Sequence, residues 1–258
     1  MYTKEQLLQQ IREMGIQPTD TLLVHSSMKS IGQVEGGADT VLDALSEAVH
    51  DGLLVLPTHT WAQINEKNST YDPETEPSCV GVLTNLFRVR PGVVRSLHPT
   101  HSVAALGKDA VDYVSGEEFS DTPCPRTGCW GKLYDRRAKV LFLGCSLKRN
   151  TYLHGVEEWN NTPDRLTEGY EALRIVTPGG VIDRPMHRHH TSTGDVSHNY
   201  DKMQPAFVAK GIAVEGCLGD AQCFLCDAVG MADLTSEYLR RNPALFVDET
   251  PVPEEWYK

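Results

Sequence analysis

The sequence predicts an α/β protein in which helices flank a central mixed sheet and antiparallel hairpins are added in the carboxyl-terminal third. Short apolar runs of strand length alternate with helical patterns up to residue 160, which is typical of strand–helix units. Beyond residue 170 the apolar runs come in pairs around turn residues, which is typical of hairpins. No internal repeat, low-complexity tract or linker divides the chain. We therefore expect residues 1–258 to form one compact domain.

The amino-terminal part is expected to contain a helix followed by repeated strand–helix units. Thr3 and Gln6 have the spacing of a capping box, and the apolar stripe behind them stops at Gly15. Each following unit has an apolar run, a polar loop and a stretch whose apolar residues share one helical face. In order, the predicted elements are strand 21–24, a helix from Gly36 to Val49, strand 53–56, a helix around 80–87, and strands 102–105 and 140–143.

The carboxyl-terminal part is expected to add antiparallel strands to the sheet. Residues 173–176 and 181–182 flank Pro178-Gly179-Gly180, as the two strands of a hairpin would. The runs around Gly219-Asp220 predict a second hairpin. A last helix is predicted from near Ala228 to Arg241, before a tail rich in proline and glutamate.

Composition and charge restrict the class of protein. A hydrophobic content of 40% and a charged content of 23% are ordinary for a globular chain. Residues 1–6 have no signal-peptide character, and no apolar run approaches the roughly 20 residues that cross a bilayer. The seven cysteines fit reduced thiols, so we expect a cytoplasmic protein without a membrane partner, either a monomer or a homodimer. The net charge of −11 argues against nucleic acid as the main partner and suits a cationic ligand, although it also serves solubility alone.

A histidine and a glutamate lie three residues apart just after the strand predicted at 140–143. Asn150 or Thr151 can cap a short helix in which His154 and Glu157 share a face. The carboxyl ends of strands are where open α/β sheets bind ligands. A carboxylate beside an imidazole fixes its tautomer, so the pair suits general base catalysis. The alternative is a solvated helix surface.

Three other groups of residues compete for a chemical role. The basic segment 88–102 suggests a phosphate site, although basic side chains that complement the dipole of a helix end would explain part of this pattern. His187, His189 and His198, with His59, could form the site of a metal-dependent hydrolase, but the spacing matches no metal motif and we expect no metal. The cysteines are weaker candidates for a chemical role. They are Cys124 with Cys129, a lone CxxC at Cys223 and Cys226, and Cys145 as a minor candidate nucleophile.

Taken together, these residues give the chain a resemblance to the aminoglycoside 3-N-acetyltransferase family. The resemblance implies a compact α/β fold, acetyl-coenzyme A as donor, and direct attack of an aminoglycoside amine on the thioester. The matching segments are His25-Ser26-Ser27, Ile31-Gly32, Gly36-Gly37-Ala38, Pro57-Thr58, Arg95-Ser96, His98-Pro99, Ser102, Ala104-Ala105, Gly107, and Asn150-Thr151 with His154 and Glu157.

The resemblance also implies roles for individual residues. His154 is similar to the family's catalytic base, and Glu157 lies beside it. Two segments resemble the walls of a coenzyme site; they contain His25, Ser26, Ser27, Met28, Lys29, Ser30 and Ile31, and Arg95, Ser96, His98 and Ser102.

Chemical reasoning about the acceptor points the same way. Aminoglycoside amines are largely protonated near neutral pH, so a base of intermediate pKa must take a proton before attack. We expect the carboxylates of Asp72, Glu157 and Glu158 to bind ammonium groups of the acceptor. Residues 63–77 and 187–198 depart from the family pattern, so a different small amine could be the acceptor, and the regiochemistry stays open. A binding protein without catalysis is a separate alternative.

Overall fold

The computed structural model describes residues 1–258 and contains a seven-stranded sheet in the order β4-β5-β2-β1-β6-β10-β9. A separate three-stranded sheet has the order β3-β7-β8. The strands are β1 Thr21–Ser26, β2 Leu53–Pro57, β3 Thr70–Tyr71, β4 Val94–Arg95, β5 Val103–Gly107, β6 Lys139–Leu143, β7 Arg174–Thr177, β8 Gly180–Asp183, β9 Ala213–Leu218 and β10 Ala221–Asp227.

Eight α-helices surround the sheet, and short 3₁₀ segments connect several of them. None combines the length and apolar character that crossing a bilayer requires. The helices are α1 Lys4–Glu13, α2 Ala38–Ala48, α3 Val82–Phe87, α4 Ala110–Val114, α5 Cys129–Asp135, α6 Thr151–Trp159, α7 Gln204–Ala209 and α8 Ala228–Arg241.

The middle of the large sheet is parallel and its two edges are antiparallel. β1 pairs in parallel with β2 on one side and with β6 on the other. β5 and β4 extend one edge, and β10 and β9 extend the other, all antiparallel to their neighbours. Because the chain leaves β1 towards β2 and later returns to its other side as β6, the carboxyl end of β1 is a topological switch point.

Two apolar layers cover the faces of the large sheet. Alternate residues of each strand point to opposite faces, so Leu22 packs with α1, α2 and α3 while its neighbour Leu23 packs with α4 to α8. The continuous apolar runs of β1, β2 and β6 follow from this burial on both faces. The helices on both faces hold the parallel strand ends, and the loops after them, in place.

The α/β fold class and most predicted elements are confirmed. Thr3 and Gln6 form the expected capping box on α1, α8 has the expected bounds, and β9 and β10 form the expected hairpin. One expectation needs correction: the hairpin β7–β8 does not join the large sheet but pairs with β3.

Candidate active site

A cavity of about 1270 Å³ opens at the carboxyl ends of the three parallel strands. Its walls come from the loops after β1, β2 and β6, from the first turn of α6, and from residues 188–197. The site therefore lies at the switch point, where the topology of the sheet separates neighbouring loops and leaves a crevice.

The loops after β1 and β6 are joined by direct contacts. The backbone N–H of Ser27 donates to the carbonyl of Leu143, and the hydroxyl of Ser30 donates to the carbonyl of Gly144 at 3.1 Å. Gly144 has a φ of +65°, and a Cβ there would lie 2.5 Å from the Cβ of Ser30. Only glycine accommodates both the backbone conformation and the contact, so this residue sets the distance between the two walls.

His154, Tyr200 and Glu157 form a chain of hydrogen bonds at one end of the cavity. The hydroxyl of Tyr200 donates to Glu157 Oε2 at 2.6 Å and lies 2.8 Å from His154 Nδ1. His154 and Glu157 share a helical face as expected, but their closest atoms are 4.0 Å apart. Tyr200 therefore connects the two residues, and we call these three, together with Arg165, the His154 relay.

The relay determines which nitrogen of His154 carries the proton. A tyrosine hydroxyl has one proton, and in this geometry it goes to the Glu157 carboxylate. His154 Nδ1 must then donate its own proton to the Tyr200 oxygen, so Nε2 has a free lone pair. Residue 154 lines the cavity with one fifth of its side chain exposed, which suits a base acting on a bound ligand.

Burial and a buried ion pair determine the charges in the relay. Burial lowers the pKa of His154 well below its usual value, and the nearby His189 adds to this effect. His154 is therefore neutral at neutral pH. Burial raises the pKa of Glu157, but Arg165 opposes it from 2.5 Å and favours the carboxylate.

A second imidazole is stacked on His154 and has a different partner. The rings of His189 and His154 are 4.6 Å apart, and His189 Nε2 lies 2.7 Å from Glu158 Oε1. Burial raises the pKa of Glu158 to about 8. At neutral pH Glu158 is consequently a neutral acid that bonds to His189, and it offers no charge to an ammonium group.

Further neutral imidazoles line the cavity floor. His59 Nε2 lies 3.0 Å from the hydroxyl of Thr151, and His101 contacts both His59 and His189 through its ring. Burial lowers the pKa of His59 and of His101 well below the usual value. This part of the wall is polar but uncharged.

The histidines of the hydrolase alternative do not converge on one point. His187 packs against Tyr170, and the side chain of His198 is 75% exposed. The one group with metal-ligand spacing consists of Cys124, Glu158 and His189, and it contains just one of the expected histidines. The structure gives this alternative no support.

The end of β1 and the loop after it contribute most of their predicted residues to the cavity. The lining residues are His25, Ser26, Ser27, Met28 and Lys29. Ser30 lies behind them on Gly144, and Ile31 is fully buried in the core.

The segment 95–102 takes a different position from the one expected. All three nitrogens of the Arg95 guanidinium donate to protein oxygens, among them the carbonyls of Thr58 and Glu76. Ser102 donates to the Thr58 carbonyl. None of the four candidate coenzyme residues in this segment lines the cavity; they are Arg95, Ser96, His98 and Ser102. In this geometry the segment lies behind the cavity wall and supports it.

Two of the remaining candidates, Asp72 and Glu157, also lie away from the cavity surface. Asp72 accepts hydrogen bonds from Thr75 and the backbone of Glu74 in an outer loop. Glu157 is buried behind Tyr200. Cys145 lines the cavity, but burial raises the pKa of its thiol to about 12, so it is no thiolate.

The sequence analysis missed several residues that the fold brings to the site. Tyr200, 46 residues after His154, and Arg165, in the loop after α6, complete the relay, and no spacing pattern connects them with His154. Lys148 and Arg149 line the cavity beside the β1 loop. Their position directly after the β6 strand is the signal that could have identified them, because such residues lie at the ligand edge of the sheet.

Comparison with known proteins places this geometry in a family. A family model described as "Aminoglycoside 3-N-acetyltransferase" matches residues 23–240. An aminoglycoside N(3)-acetyltransferase III from a Salmonella species is 29% identical over 94% of this chain and 93% of its own length.

Solved structures share the fold over nearly the whole chain. One, a mutant of the aminoglycoside acetyltransferase AAC(3)-IVa in complex with a gentamicin, has a TM-score of 0.83 at 25% identity and covers 100% of this chain and 94% of its own. Another, described as "AAC-IIIb binary with CoASH", has a TM-score of 0.83 at 23% identity and covers 98% of this chain and 99% of its own.

Proposed function

The chain belongs to the aminoglycoside 3-N-acetyltransferase family, and we propose that it transfers the acetyl group of acetyl-coenzyme A to the 3-amino group of an aminoglycoside with His154 as the general base. The family is one of acyltransferases, and its matched relatives carry that activity in their names. Because acetyl-coenzyme A is a cytoplasmic metabolite, the proposal places the enzyme in the cytoplasm.

The loops after β1 and β6 are the proposed donor site. Lys29, Lys148 and Arg149 lie at the cavity with the hydroxyls of Ser26 and Ser27 between them. Ammonium and guanidinium groups bind phosphate oxygens, and the hydroxyls can complete the contacts. The related AAC-IIIb is described with coenzyme A bound, which supports this choice of donor.

The reaction passes one proton through His154, from the acceptor nitrogen to the leaving thiolate. The lone pair of a neutral acceptor amine attacks the thioester carbonyl carbon, and Nε2 of His154 takes the proton that the nitrogen loses. The tetrahedral intermediate then collapses, the carbon–sulfur bond breaks, and the thiolate leaves with that proton as free coenzyme A. The products are the amide and a thiol, and His154 returns to its neutral form.

The arrangement of the relay is the observation that carries this proposal. A histidine that is neutral at neutral pH, with its Nδ1 proton held by Tyr200, presents an unprotonated Nε2 to a cavity large enough for two substrates. Glu157 and Arg165 hold the tyrosine. The alternative hydrolase has no comparable arrangement, and the buried thiol of Cys145 cannot serve as a nucleophile.

The test is thiol release from acetyl-coenzyme A with a panel of aminoglycosides. We expect His154→Ala to lower the turnover rate about 10²- to 10⁴-fold, while coenzyme A binding measured by calorimetry stays unchanged. His50→Ala, at an exposed histidine outside the cavity, is the matched control and should retain full activity. Undiminished turnover in the His154 variant would contradict the proposed base, and no thiol release with any amine would contradict the transferase.

A further inference from the structure

Three side chains that can bind a transition metal meet at the cavity wall. Cys124 lies in the loop before α5, Glu158 lies in α6, and His189 lies in the loop after β8. The thiol sulfur, a carboxylate oxygen and a ring nitrogen of these residues all lie within 4.8 Å of one another. We call these three residues the Cys124 cluster. They are not part of the His154 relay, and the proposed acetyl transfer uses none of their groups.

Hydrogen bonds hold the members of the cluster close together. The backbone N–H of Cys124 donates to Glu158 Oε1 at 2.9 Å, and the indole N–H of Trp159 donates to the carbonyl of Cys124 at 2.8 Å. The loop before α5 is therefore fixed to α6 at two neighbouring residues. His189 Nε2 lies 2.7 Å from Glu158 Oε1, which brings the third element to the same carboxyl group.

Two atoms of the cluster have no good partner in the protein. Glu158 Oε2 is buried and has no hydrogen-bond partner, and 5% of the Glu158 side chain is exposed. The thiol of Cys124 is fully buried, and its one contact is a weak one with the carbonyl of Thr151 at 3.9 Å. A buried polar atom without a partner costs free energy, and a bound ion removes that cost. The cluster thus contains an unused oxygen and a nearly unused sulfur.

We propose that Cys124, Glu158 and His189 bind Zn²⁺ in a structural site, which ties the cavity wall formed by residues 188–197 to α6. Zinc prefers thiolate and imidazole ligands, whereas Mg²⁺ and Ca²⁺ take oxygen ligands. The ligand atoms of a tetrahedral zinc site lie about 3.3–3.8 Å apart, so the side chains close by about an ångström and a water takes the fourth position. The thiol and the carboxyl group each release one proton to solvent as the ion binds.

The position of His189 makes the site both accessible and compatible with catalysis. The His189 ring lines the cavity with 20% of its side chain exposed, so an ion can enter from the cavity. The same ring stacks on His154, with 4.6 Å between the ring centres. The thiolate and the carboxylate balance the charge of the ion, so zinc adds no net charge beside the general base. Bound zinc therefore fixes the wall without changing the proton transfer.

The first experiment measures metal binding on chelator-treated protein without a histidine tag. Co²⁺ serves as the probe, because a thiolate bound to cobalt gives a charge-transfer band in the near ultraviolet. We expect one Co²⁺ per chain with this band, displacement by Zn²⁺, and no displacement by Mg²⁺. Absence of the band in the folded wild type would overturn the inference while leaving acetyl transfer intact. Binding in a protein that acetylates no amine would instead overturn the proposed function and leave the site standing.

The second experiment asks whether the cluster holds the ion. Cys124→Ser and Glu158→Gln each remove one ligand, and we expect each to weaken Co²⁺ binding at least about tenfold. Cys124→Ser should also abolish the charge-transfer band. Cys129→Ser is the matched control, because it changes a buried thiol outside the cluster and serine can keep the bond to the carbonyl of Tyr113. A band that survives in Cys124→Ser, or disappears in folded Cys129→Ser, would overturn the assignment.

The third experiment tests the structural role through thermal unfolding. A ligand that binds the native state raises its melting temperature, and we expect a rise of about 5 °C with Zn²⁺ at a hundredfold excess over its dissociation constant. Glu158→Gln, which keeps the shape of the side chain, should lose most of this rise. Turnover in chelator should equal turnover with zinc. A melting temperature that zinc does not change, or turnover that chelator abolishes, would overturn the structural role.

Discussion

The His154 relay and the segment 95–102 contain similar side chains near the same sheet edge, but they serve different purposes. In the relay, one ring nitrogen of His154 has no partner in the protein and meets the cavity. In the segment, Arg95 donates with all of its nitrogens to oxygens of the chain, and His98 accepts from two backbone N–H groups. An unused donor or acceptor at a cavity, and not the density of polar residues, distinguishes a reactive site from a support.

This difference has an energetic meaning. A half-buried cation such as Arg95 is tolerated because each guanidinium nitrogen is paired with an oxygen, so its network contributes stability and fixes the loops that it connects. In the relay, Nε2 of His154 has no protein partner and faces the cavity, so it is left for the substrate. Rigid support behind the wall and a single free lone pair at its surface together provide the preorganisation that catalysis needs.

The largest effect is expected from Tyr200→Phe, which removes the hydroxyl that connects His154 with Glu157. His154 stays in place, but its Nδ1 loses the acceptor that fixes the tautomer, and Glu157 loses a donor. We expect kcat to fall about a hundredfold, part of the 10²- to 10⁴-fold that a general base supplies. Steady-state kinetics with a fixed acceptor measures this, and the KM of acetyl-coenzyme A should not change.

The pH profile of the same variant separates a positioning role from a direct one. His154 must be neutral to act, and burial already lowers its pKa, so wild-type activity should persist below the usual histidine range. Without Tyr200 the imidazolium loses an acceptor, which lowers its pKa further. The plateau should fall while the acidic limb stays in place or moves to lower pH. A limb that moves to higher pH would argue that Tyr200 does not stabilise the protonated ring.

The sequence predicted the parts of the site that follow from local rules. Strand 140–143, the helix after it and the shared face of His154 and Glu157 are local features, because spacing along one element decides them. Tyr200 comes from a segment 46 residues further on, so no periodicity could indicate it. Arg95 shows the opposite limit: the pattern located a polar cluster at the sheet edge, but packing alone decided that its guanidinium turns inward.

A further prediction compares the removal of an arginine behind the cavity wall with the removal of one on its surface. Arg95→Ala removes the side-chain donor to the carbonyls of Pro73 and Glu76 and one donor to the carbonyl of Thr58, and we expect the free energy of unfolding to fall by about 2 kcal/mol. Arg149→Ala removes an exposed guanidinium from the cavity rim and should raise the KM of acetyl-coenzyme A with little change in stability. Denaturant unfolding and donor kinetics on both variants measure the pair. An increased donor KM in a fully stable Arg95 variant would return that residue to the coenzyme site.

The last comparison is between two adjacent carboxyls, Glu157 with its cation and Glu158 without one. Since burial raises the pKa of Glu158 to about 8, from an ordinary value of 4.5, the folded protein holds its proton more tightly than the unfolded chain does. That contribution to stability is complete below pH 4.5 and is lost as the pH rises through 8. Glu158→Gln keeps the group neutral, so we expect it to melt about 2–4 °C above the wild type at pH 9 and at nearly the same temperature at pH 5. Parallel pH dependences of the two melting temperatures would mean that Glu158 is already ionised in the fold.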